Sequence, residues 1–529
     1  MKKKIQVILL AAAIILIGLY AAKSHKTAPI EDYPYADNPP VNPAFNVTLC
    51  ANKDCWFKEG SIYETHPYYY PNHSFKEITE QIPSIADLGI KTIYILPVFE
   101  HENKDPSYNY LYLIDDYYKI DPAYGTEADL KELVRTAHNY HMKVLFDMVT
   151  AVAPAGSVLY NWTIKIPLQE LEKSGLDLKF QNIGAGSKDT YSGRFVYSSD
   201  CFKSKTSPSF CKISGKVEGN DVVIYTYPNP KFGPALDRTD PHVIEYFTNV
   251  AEYYVKNYDI DGLRLDSTYN TWNPELIPGD HSIIRLSESM KSAIIKIKPD
   301  AVFVAEHPSP ELDTTADMSY VPYEFWFNMI GKDIVSGNMT SMRLIDALDS
   351  QPIRYNRSRV YFGETHDSPR FNKIAPQADR SWLVFISTIP GIPMIQAGQE
   401  IGSTNEWFAA GNKAKPQVDW AGGNNGLRDF YKKVFAIRNS SDALKYGDIK
   451  NVWKSGDNTF AYSRTYEKET AIVVINYQRK AVSSGLNIPF PKSTKMIDEL
   501  SGEMFTIDNP SDFKITIPAY GSRILVIKR

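Results

Sequence analysis

Several short apolar runs in this 529-residue sequence end in a carboxylate. Such runs predict buried strands, and in a parallel sheet the carboxyl ends of neighbouring strands meet on one side. Acidic side chains that meet in this way can serve as acid, base and nucleophile for one reaction. The side chains at these ends are Asp147, Arg264 with Asp266, Glu306, and His366 with Asp367.

Two of these carboxyls have sequence surroundings that favour opposite protonation states. Arg264 and Asp266 are two residues apart, so in a strand their side chains point to the same face. A guanidinium beside a carboxylate favours the ionised form that a nucleophile requires. Glu306 ends an apolar run, an environment that raises the pKa of a carboxyl and keeps it protonated as an acid.

The elements that must position these side chains alternate between apolar strands and amphipathic helices. The spacing predicts helices over 75–88, 128–140 and 243–257. Apolar strands separated by helices are typical of a parallel sheet covered on both faces, and eight such units match a closed (β/α)8 TIM barrel. The predicted strands lie at 61–64, 91–98, 143–149, 261–266, 301–306, near 320–327, and at 359–365 and 392–396.

The alternation is interrupted once and then ends. Residues 153–232 are rich in Gly, Ser, Lys and Tyr without a clear period, which predicts an inserted, loop-rich B domain after the third strand. The barrel therefore comprises 60–152 and 233–443. From 444 to 529 short alternating strands predict a separate all-β sandwich domain.

The N-terminus has the features of an export segment. Three lysines at positions 2–4 precede an apolar run of 18 residues from Ile5 to Ala22, close to the ~20 that span a bilayer. No clear cleavage site follows, so a cleaved signal peptide and an uncleaved membrane anchor within 1–26 both stay open. Prolines make 27–59 an extended spacer. In either case we expect the body of the protein in the periplasm or outside the cell.

The chain has four cysteines, and four cysteines permit three pairings. Their close spacings favour Cys50–Cys55 and Cys201–Cys211 as local disulfides in an oxidising compartment. Zinc is a poor alternative, because neither pair has the spacing or the nearby histidines of a zinc site.

Composition excludes several classes of protein. With 23% charged and 43% hydrophobic residues, the chain is neither wholly disordered, collagen-like nor a polytopic membrane protein. Lys and Arg total 58 against 62 Asp and Glu, a net charge of −4, with no basic block beyond the extreme N-terminus. Nucleic acid is therefore not an expected partner, since phosphate binding needs a concentrated positive surface.

Seven motifs resemble those of glycoside hydrolase family 13, the α-amylase family, from about residue 60 to the C-terminus. Each motif is modest alone, but seven in the family's order are highly specific. The stretch at 261–266 is similar to the family's nucleophile motif, and 304–306 to its acid/base motif. The full set lies at 107–125, 147–149, 234–237, 261–266, 304–306, 362–367 and 391–400.

This resemblance implies a retaining mechanism on an α-glucan or oligosaccharide substrate. Asp266 would form the glycosyl–enzyme intermediate, and Glu306 would act as acid and then as base. Retention requires these two carboxyls about 5–5.5 Å apart. Asp367 would favour the distorted transition state. The resemblance also implies three residues that contact the sugar or hold the nucleophile, which are Tyr112, Arg264 and His366.

The sequence departs from the family pattern after the third strand. After the stretch that corresponds to 147–149, the family usually has Asn-His, but residues 150–154 contain neither. Val152 stands in place of the histidine that normally touches the sugar. The missing asparagine is a calcium ligand in many α-amylases. We therefore expect no calcium at this place and no other cofactor. Thr365 also stands where the family usually has asparagine.

The sequence favours an enzyme over a binding protein. An exported hydrolase or transferase of α-1,4- or α-1,6-glucans is the leading hypothesis, because Asp266, Glu306 and Asp367 are all present. The alternative is a catalytically silent relative anchored by 5–22, which Val152 favours.

Overall fold

The structure is a computed structural model that describes most of the chain from Cys55 onward. Among the described residues no helix is long and apolar enough to cross a membrane. The apolar run at 5–22 and the proline-rich segment up to residue 54 lie outside them, so what was predicted for these segments stays a prediction. The described residues are 55–101, 111–154, 157–174, 178–182, 200–204, 209–217, 219–226, 234–268, 283–306, 315–319, 358–406, 417–454 and 458–528.

Eight parallel strands close into a barrel, which confirms the predicted fold class. The strands up to residue 400 are β1 (Ser61–Thr65), β2 (Ile90–Ile95), β3 (Phe99–Glu100), β4 (Asp116–Ile120), β5 (Lys143–Val149), β6 (Lys165–Pro167), β7 (Leu178–Asn182), β8 (Asp200–Ser204), β9 (Ser209–Val217), β10 (Asn220–Thr226), β11 (Gly262–Asp266), β12 (Val302–Ala305), β13 (Met318–Ser319), β14 (Ser358–Phe362) and β15 (Ile392–Gln396). The barrel runs β1, β2, β5, β11, β12, β13, β14 and β15, and β15 pairs with β1 to close it.

Seven of the eight predicted barrel strands coincide with observed ones to within three residues at either end. The sixth strand, β13, has only two residues and precedes the prediction at 320–327, which lies outside the described residues. A two-residue strand carries no apolar run of its own, so the sequence offered no pattern to mark it. Buried Asp317 fixes this short strand instead, because its carboxylate accepts the Phe303 amide at 2.7 Å and the Lys291 ammonium at 2.5 Å.

Several helices begin where the sequence supplies a capping side chain. Ser74 and Glu77 form a capping box at the start of the first helix, and Thr126 and Asp129 form another at the second. Each box satisfies backbone amides that have no partner within the helix. The α-helices are α1 (Phe75–Asp87), α2 (Glu127–Asn139), α3 (Leu168–Lys173), α4 (Pro241–Tyr258), α5 (Ile283–Ile297), α6 (Phe371–Ile374), α7 (Asp379–Thr388), α8 (Asn425–Ser440) and α9 (Asp442–Tyr446).

The segment inserted between β5 and β11 contains a five-stranded antiparallel sheet in the order β6, β10, β9, β8, β7. The sequence predicted a loop-rich insertion, because Lys and Ser interrupt the apolar alternation in β8 and β9, although β10 carries the apolar run 222–225. Cys201 and Cys211 are directly opposite each other on β8 and β9. Cys55 is buried and disulfide-bonded. Cys50 lies outside the described residues, so the pairing of the four cysteines stays a prediction.

The C-terminal region is all-β, as predicted. A six-stranded antiparallel sheet has the order β16, β17, β18, β23, β20, β21, and β19 pairs with β22 in a second sheet. Side chains of both sheets, among them Ile472 and Ile515, share one apolar cluster, so the small sheet packs on the large one. These strands are β16 (Asp448–Lys454), β17 (Thr459–Tyr466), β18 (Glu469–Asn476), β19 (Val482–Leu486), β20 (Lys495–Asp498), β21 (Met504–Thr506), β22 (Phe513–Ile517) and β23 (Ser522–Lys528).

Buried Arg464 joins the barrel to the C-terminal strands, and buried Arg438 binds the end of the same barrel helix from α8. Arg464 donates to the carbonyls of Thr388 at 2.6 Å and Gly447 at 2.8 Å, and Arg438 donates to the Ser387 carbonyl at 3.0 Å. Ser387 and Thr388 are the last residues of α7, where a cation interacts favourably with unpaired carbonyls. Burial lowers the pKa of Arg464 to about 10, within the range where it stays charged at neutral pH.

We expect Arg464→Met to lower the free energy of unfolding by about 2–4 kcal/mol, because two buried carbonyls lose their charged donor. Urea denaturation followed by circular dichroism measures this change. The matched control is Arg479→Met, since Arg479 is exposed, and it should change the free energy by less than about 0.5 kcal/mol. Equal losses in the two variants would contradict this account of the contact.

Candidate active site

One buried guanidinium contacts three of the predicted site carboxyls at the carboxyl ends of the barrel strands. Nη1 of Arg264 donates to Asp147 Oδ1 at 2.9 Å and to Asp266 Oδ1 at 2.7 Å. Its Nη2 forms an ion pair with Glu306 Oε2 at 3.1 Å. Arg264 and Asp147 are opposite each other in the register of β11 and β5, so strand pairing itself brings the first contact about.

The two carboxyls predicted to do the chemistry are in direct contact. Asp266 and Glu306 are close enough to hydrogen-bond each other. The backbone amide of Ser267 also donates to Glu306 Oε2. Ser267 adopts a left-handed backbone conformation with φ of 48° immediately after the nucleophile candidate, and this turn directs its amide toward Glu306. Arg264 and Ser267 therefore hold the same oxygen of Glu306.

The protonation of Asp266 differs from the sequence-based expectation. Burial, followed by the neighbouring Glu306 carboxyl, raises the pKa of Asp266 to about 7, although Arg264 acts in the opposite direction. Arg264 lowers this pKa, in the direction that the sequence predicted, but burial and Glu306 outweigh it, because one guanidinium is shared among three carboxyls. Two neighbouring carboxyls in a buried site hold a proton more readily than one carboxyl alone.

His366 and Tyr112 form the opposite part of the site. Nε2 of His366 lies 2.6 Å from the Tyr112 hydroxyl and 3.3 Å from Asp367 Oδ2. The two rings are stacked with centroids 5.7 Å apart and an interplanar angle of 13°. Tyr112 also donates to Asp147 Oδ2 at 3.1 Å, which connects this part to Arg264. The structure thus brings all six predicted site residues into one network of hydrogen bonds and ion pairs.

The exposed fractions of the side chains separate this network into two groups. Asp266 is 15% exposed, Glu306 9% and Asp367 16%, so all three reach the solvent. Arg264 and Asp147 are 1% and 0% exposed. The three carboxyls predicted to be catalytic are therefore accessible to a ligand, while the groups that hold them are sealed. Burial also raises the pKa of Asp367 to about 8, so this group is protonated at neutral pH.

Three contributors to the site were not identified in the sequence. Tyr94 of β2 donates to Asp147 Oδ2 at 2.6 Å, and Glu64 of β1 accepts from His366. Glu64 is a buried acid at the end of an apolar strand, so the pattern that selected the other carboxyls applies to it as well. Ser267 acts through its backbone amide, which no side-chain pattern reveals.

The two departures from the family motifs have distinct structural roles. Thr365 accepts the Asp367 amide on Oγ1 at 3.2 Å, so the threonine retains a polar contact that shapes the turn. Val152 forms an isolated β-bridge with Ala235 and is nearly buried. In the part of the chain that the structure describes, no group of three or more His, Cys, Asp or Glu is placed to hold a metal ion.

Comparison with known proteins shows the family. The model for the α-amylase catalytic domain matches residues 72–175 and 221–436, more than half of the chain, and the model for the maltogenic amylase C-terminal domain matches 451–524. The chain therefore belongs to the α-amylase family, glycoside hydrolase family 13, whose members among its relatives are glycosidases.

Individual relatives are distant in sequence and similar in fold. The chain is 26% identical to a cyclomaltodextrinase from Geobacillus thermopakistaniensis, over 84% of this chain and 68% of that protein. A cyclomaltodextrinase from Thermoanaerobacter pseudethanolicus is 29% identical, over 76% of this chain and 63% of that protein. The chain thus spans about two thirds of the length of these relatives. The α-amylase from Geobacillus thermoleovorans, solved with acarbose, covers 89% of this chain and 99% of its own, with a TM-score of 0.66 and 20% identity.

Proposed function

We propose that this protein cleaves or transfers α-1,4- or α-1,6-glucosidic bonds with retention of configuration, with Asp266 as nucleophile and Glu306 as acid/base. The observation that supports this most is the contact between the two carboxyls under a shared guanidinium. Inverting glycosidases keep their carboxyls about 6.5–9.5 Å apart to admit a water molecule, whereas retaining enzymes keep them closer. Contact between Asp266 and Glu306 favours retention.

The single proton of the pair matches the requirement of the first step. The ionised Asp266 carboxylate attacks the anomeric carbon while protonated Glu306 gives its proton to the leaving glycosidic oxygen, and a glycosyl ester forms. In the second step ionised Glu306 takes a proton from water or a sugar hydroxyl. That oxygen attacks the anomeric carbon and releases Asp266. Both steps need one carboxyl ionised and the other protonated.

Asp367, His366 and Tyr112 would bind the sugar beside the reacting carbon. A protonated Asp367 carboxyl can donate to a sugar hydroxyl, and its partial exposure leaves it free to do so. Arg264 would stabilise Asp266 as it becomes the leaving group in the second step. Because the named relatives include cyclomaltodextrinases and a maltogenic α-amylase, we propose short linear or cyclic maltooligosaccharides as substrates.

We expect Asp266→Asn to lower kcat on maltoheptaose and β-cyclodextrin at least about 10³-fold, because the amide cannot form the glycosyl ester. Product chromatography measures the rate, and proton NMR of the first-formed anomer tests retention. The matched control is Asp508→Asn, the same change at an exposed residue of the C-terminal region, which should leave kcat unchanged. An inactive wild-type protein would favour the silent binding protein, and an inverted first product would contradict the mechanism.

The activity should also fall as the pH rises above about 7. Raised pKa values mean that the folded protein holds these protons at neutral pH and loses them on the alkaline side. The Asp266–Glu306 pair then loses its shared proton near pH 7, and Asp367 follows near pH 8. The pH profile of kcat/KM, which reports the free enzyme, should decline from pH 7 and steepen near pH 8. A profile that stays flat to pH 9 would rule out this assignment.

Export is part of the proposal. The lysines at 2–4 and the apolar run at 5–22 support it, and a disulfide at Cys55 suits an oxidising compartment. We expect the native protein outside the cytoplasm. Cell fractionation with mass spectrometry of the N-terminal peptide distinguishes a cleaved signal from a retained anchor. Recovery of the intact chain in the cytosol would contradict export.

A further inference from the structure

Glu64 binds a single residue with both of its carboxylate oxygens. Oε1 accepts the backbone amide of His366 at 2.8 Å, and Oε2 lies 3.1 Å from its Nδ1. Glu64 is fully buried, and among the described residues His366 is the only basic side chain that forms an ion pair with it. A buried carboxylate needs such a partner, since an unpaired charge in the interior is costly.

The hydrogen bonds around His366 fit two donors on its ring. Tyr112 gives its hydroxyl hydrogen to Asp147, so the same oxygen is left to accept from Nε2 of His366. On the other side of the ring, Nδ1 faces the Glu64 carboxylate, which is an acceptor. A neutral imidazole carries one N–H and an imidazolium carries two. Both ring nitrogens therefore act as donors when His366 is an imidazolium.

We propose that Glu64 is a positioning residue of the active site, which holds His366 as a doubly protonated imidazolium with Nε2–H directed at Tyr112 and Asp367. This inference rests on the proposed function, because it assigns Glu64 to the same sugar-binding side of that site. In the Ser-His-Asp triad of serine proteases, a carboxylate orients the histidine and stabilises its charged form, and loss of that carboxylate lowers kcat. Here the charge would act on the bound sugar through His366.

The charge of Glu64 acts mainly on the sugar-binding groups His366 and Asp367. Glu64 also raises the pKa of Asp367, after burial, so one carboxylate influences both sugar-binding groups. Glu64 also raises the pKa of Glu364. The Arg370 guanidinium, however, lies 2.6 Å from the Glu364 carboxylate and compensates the charge of Glu364. The titratable and charged groups that face Glu64 or His366 from the neighbouring elements are His66, Tyr69, Tyr112, Asp147, Glu364, Asp367 and Arg370.

Glu64→Gln tests the proposal, because the amide keeps the shape of the side chain and an acceptor for the His366 amide but loses the charge. We expect kcat on maltoheptaose to fall at least tenfold with little change in KM. The steeper part of the alkaline decline in kcat/KM, which belongs to Asp367, should change its position, because the charges of Glu64 and of His366 both act on Asp367. The matched control is Glu400→Gln, another buried carboxyl, which lies four residues beyond β15 and accepts a hydrogen bond from Tyr63. Its pH profile should match that of the wild type.

A spectroscopic measurement separates this proposal from a merely structural role of Glu64. Nitrogen-15 NMR of labelled histidine at pH 7, with the His366 signal assigned by a His366→Asn variant, should show both ring nitrogens protonated in the wild type. In Glu64→Gln only one should be protonated. A neutral His366 in the wild type would overturn the proposal. So would a Glu64→Gln variant that loses stability but keeps the wild-type kcat and pH profile.

The activity of the wild-type protein and the protonation of His366 can each contradict one proposal without the other. An inactive wild-type protein with an imidazolium at His366 would contradict the proposed function and leave the role of Glu64 in charge and orientation supported. An active protein with a neutral His366 would support the function and refute the inference. The wild-type spectrum needs no variant of Glu64, so the test holds even where Glu64→Gln does not fold.

Discussion

One buried guanidinium organises the active site of this protein. Arg264 meets Asp147, Asp266 and Glu306, so a single positive charge, itself sealed from solvent, faces three carboxyls. Negative charge in excess of positive charge is unfavourable in such a place, and a proton is retained as a consequence. The chemistry of a retaining glycosidase needs that proton on one of two adjacent carboxyls. In the mechanism proposed above, a proton retained by this pair would serve the general acid Glu306.

The second part of the site also pairs a buried carboxylate with a basic side chain. Glu64 and His366 are 302 positions apart in the sequence and are in contact because the barrel closes. Asp147 links the two parts, since it receives Arg264 on one side and Tyr112 on the other. Asp266, Glu306 and Asp367 reach the solvent, whereas the residues that hold them are buried. The fold therefore presents three accessible carboxyls above a buried layer of side chains.

The sequence predicted well those features that depend on local pattern. Apolar runs located the barrel strands, and apolar spacing located the helices at 75–88 and 128–140, where Ser74 and Thr126 cap the first turns. The five-stranded sheet of the insertion was missed, because Lys and Ser interrupt the apolar pattern of β8 and β9 and only β10 carries a continuous apolar run. The two-residue strand at Met318–Ser319 was displaced in the prediction, because pairing with its neighbours defines it rather than its own composition.

The sequence by itself determined which side chains stand at the strand ends and to which family their motifs are similar. That information is local, since it lies in residue types a few positions apart. The tertiary structure alone decided which ionisable groups lie together and how deeply each is buried. Protonation depends on burial and on distances between residues far apart in the chain. For that reason the raised pKa of Asp266, the amide of Ser267 and the pairing of Glu64 with His366 became visible only once the barrel had closed.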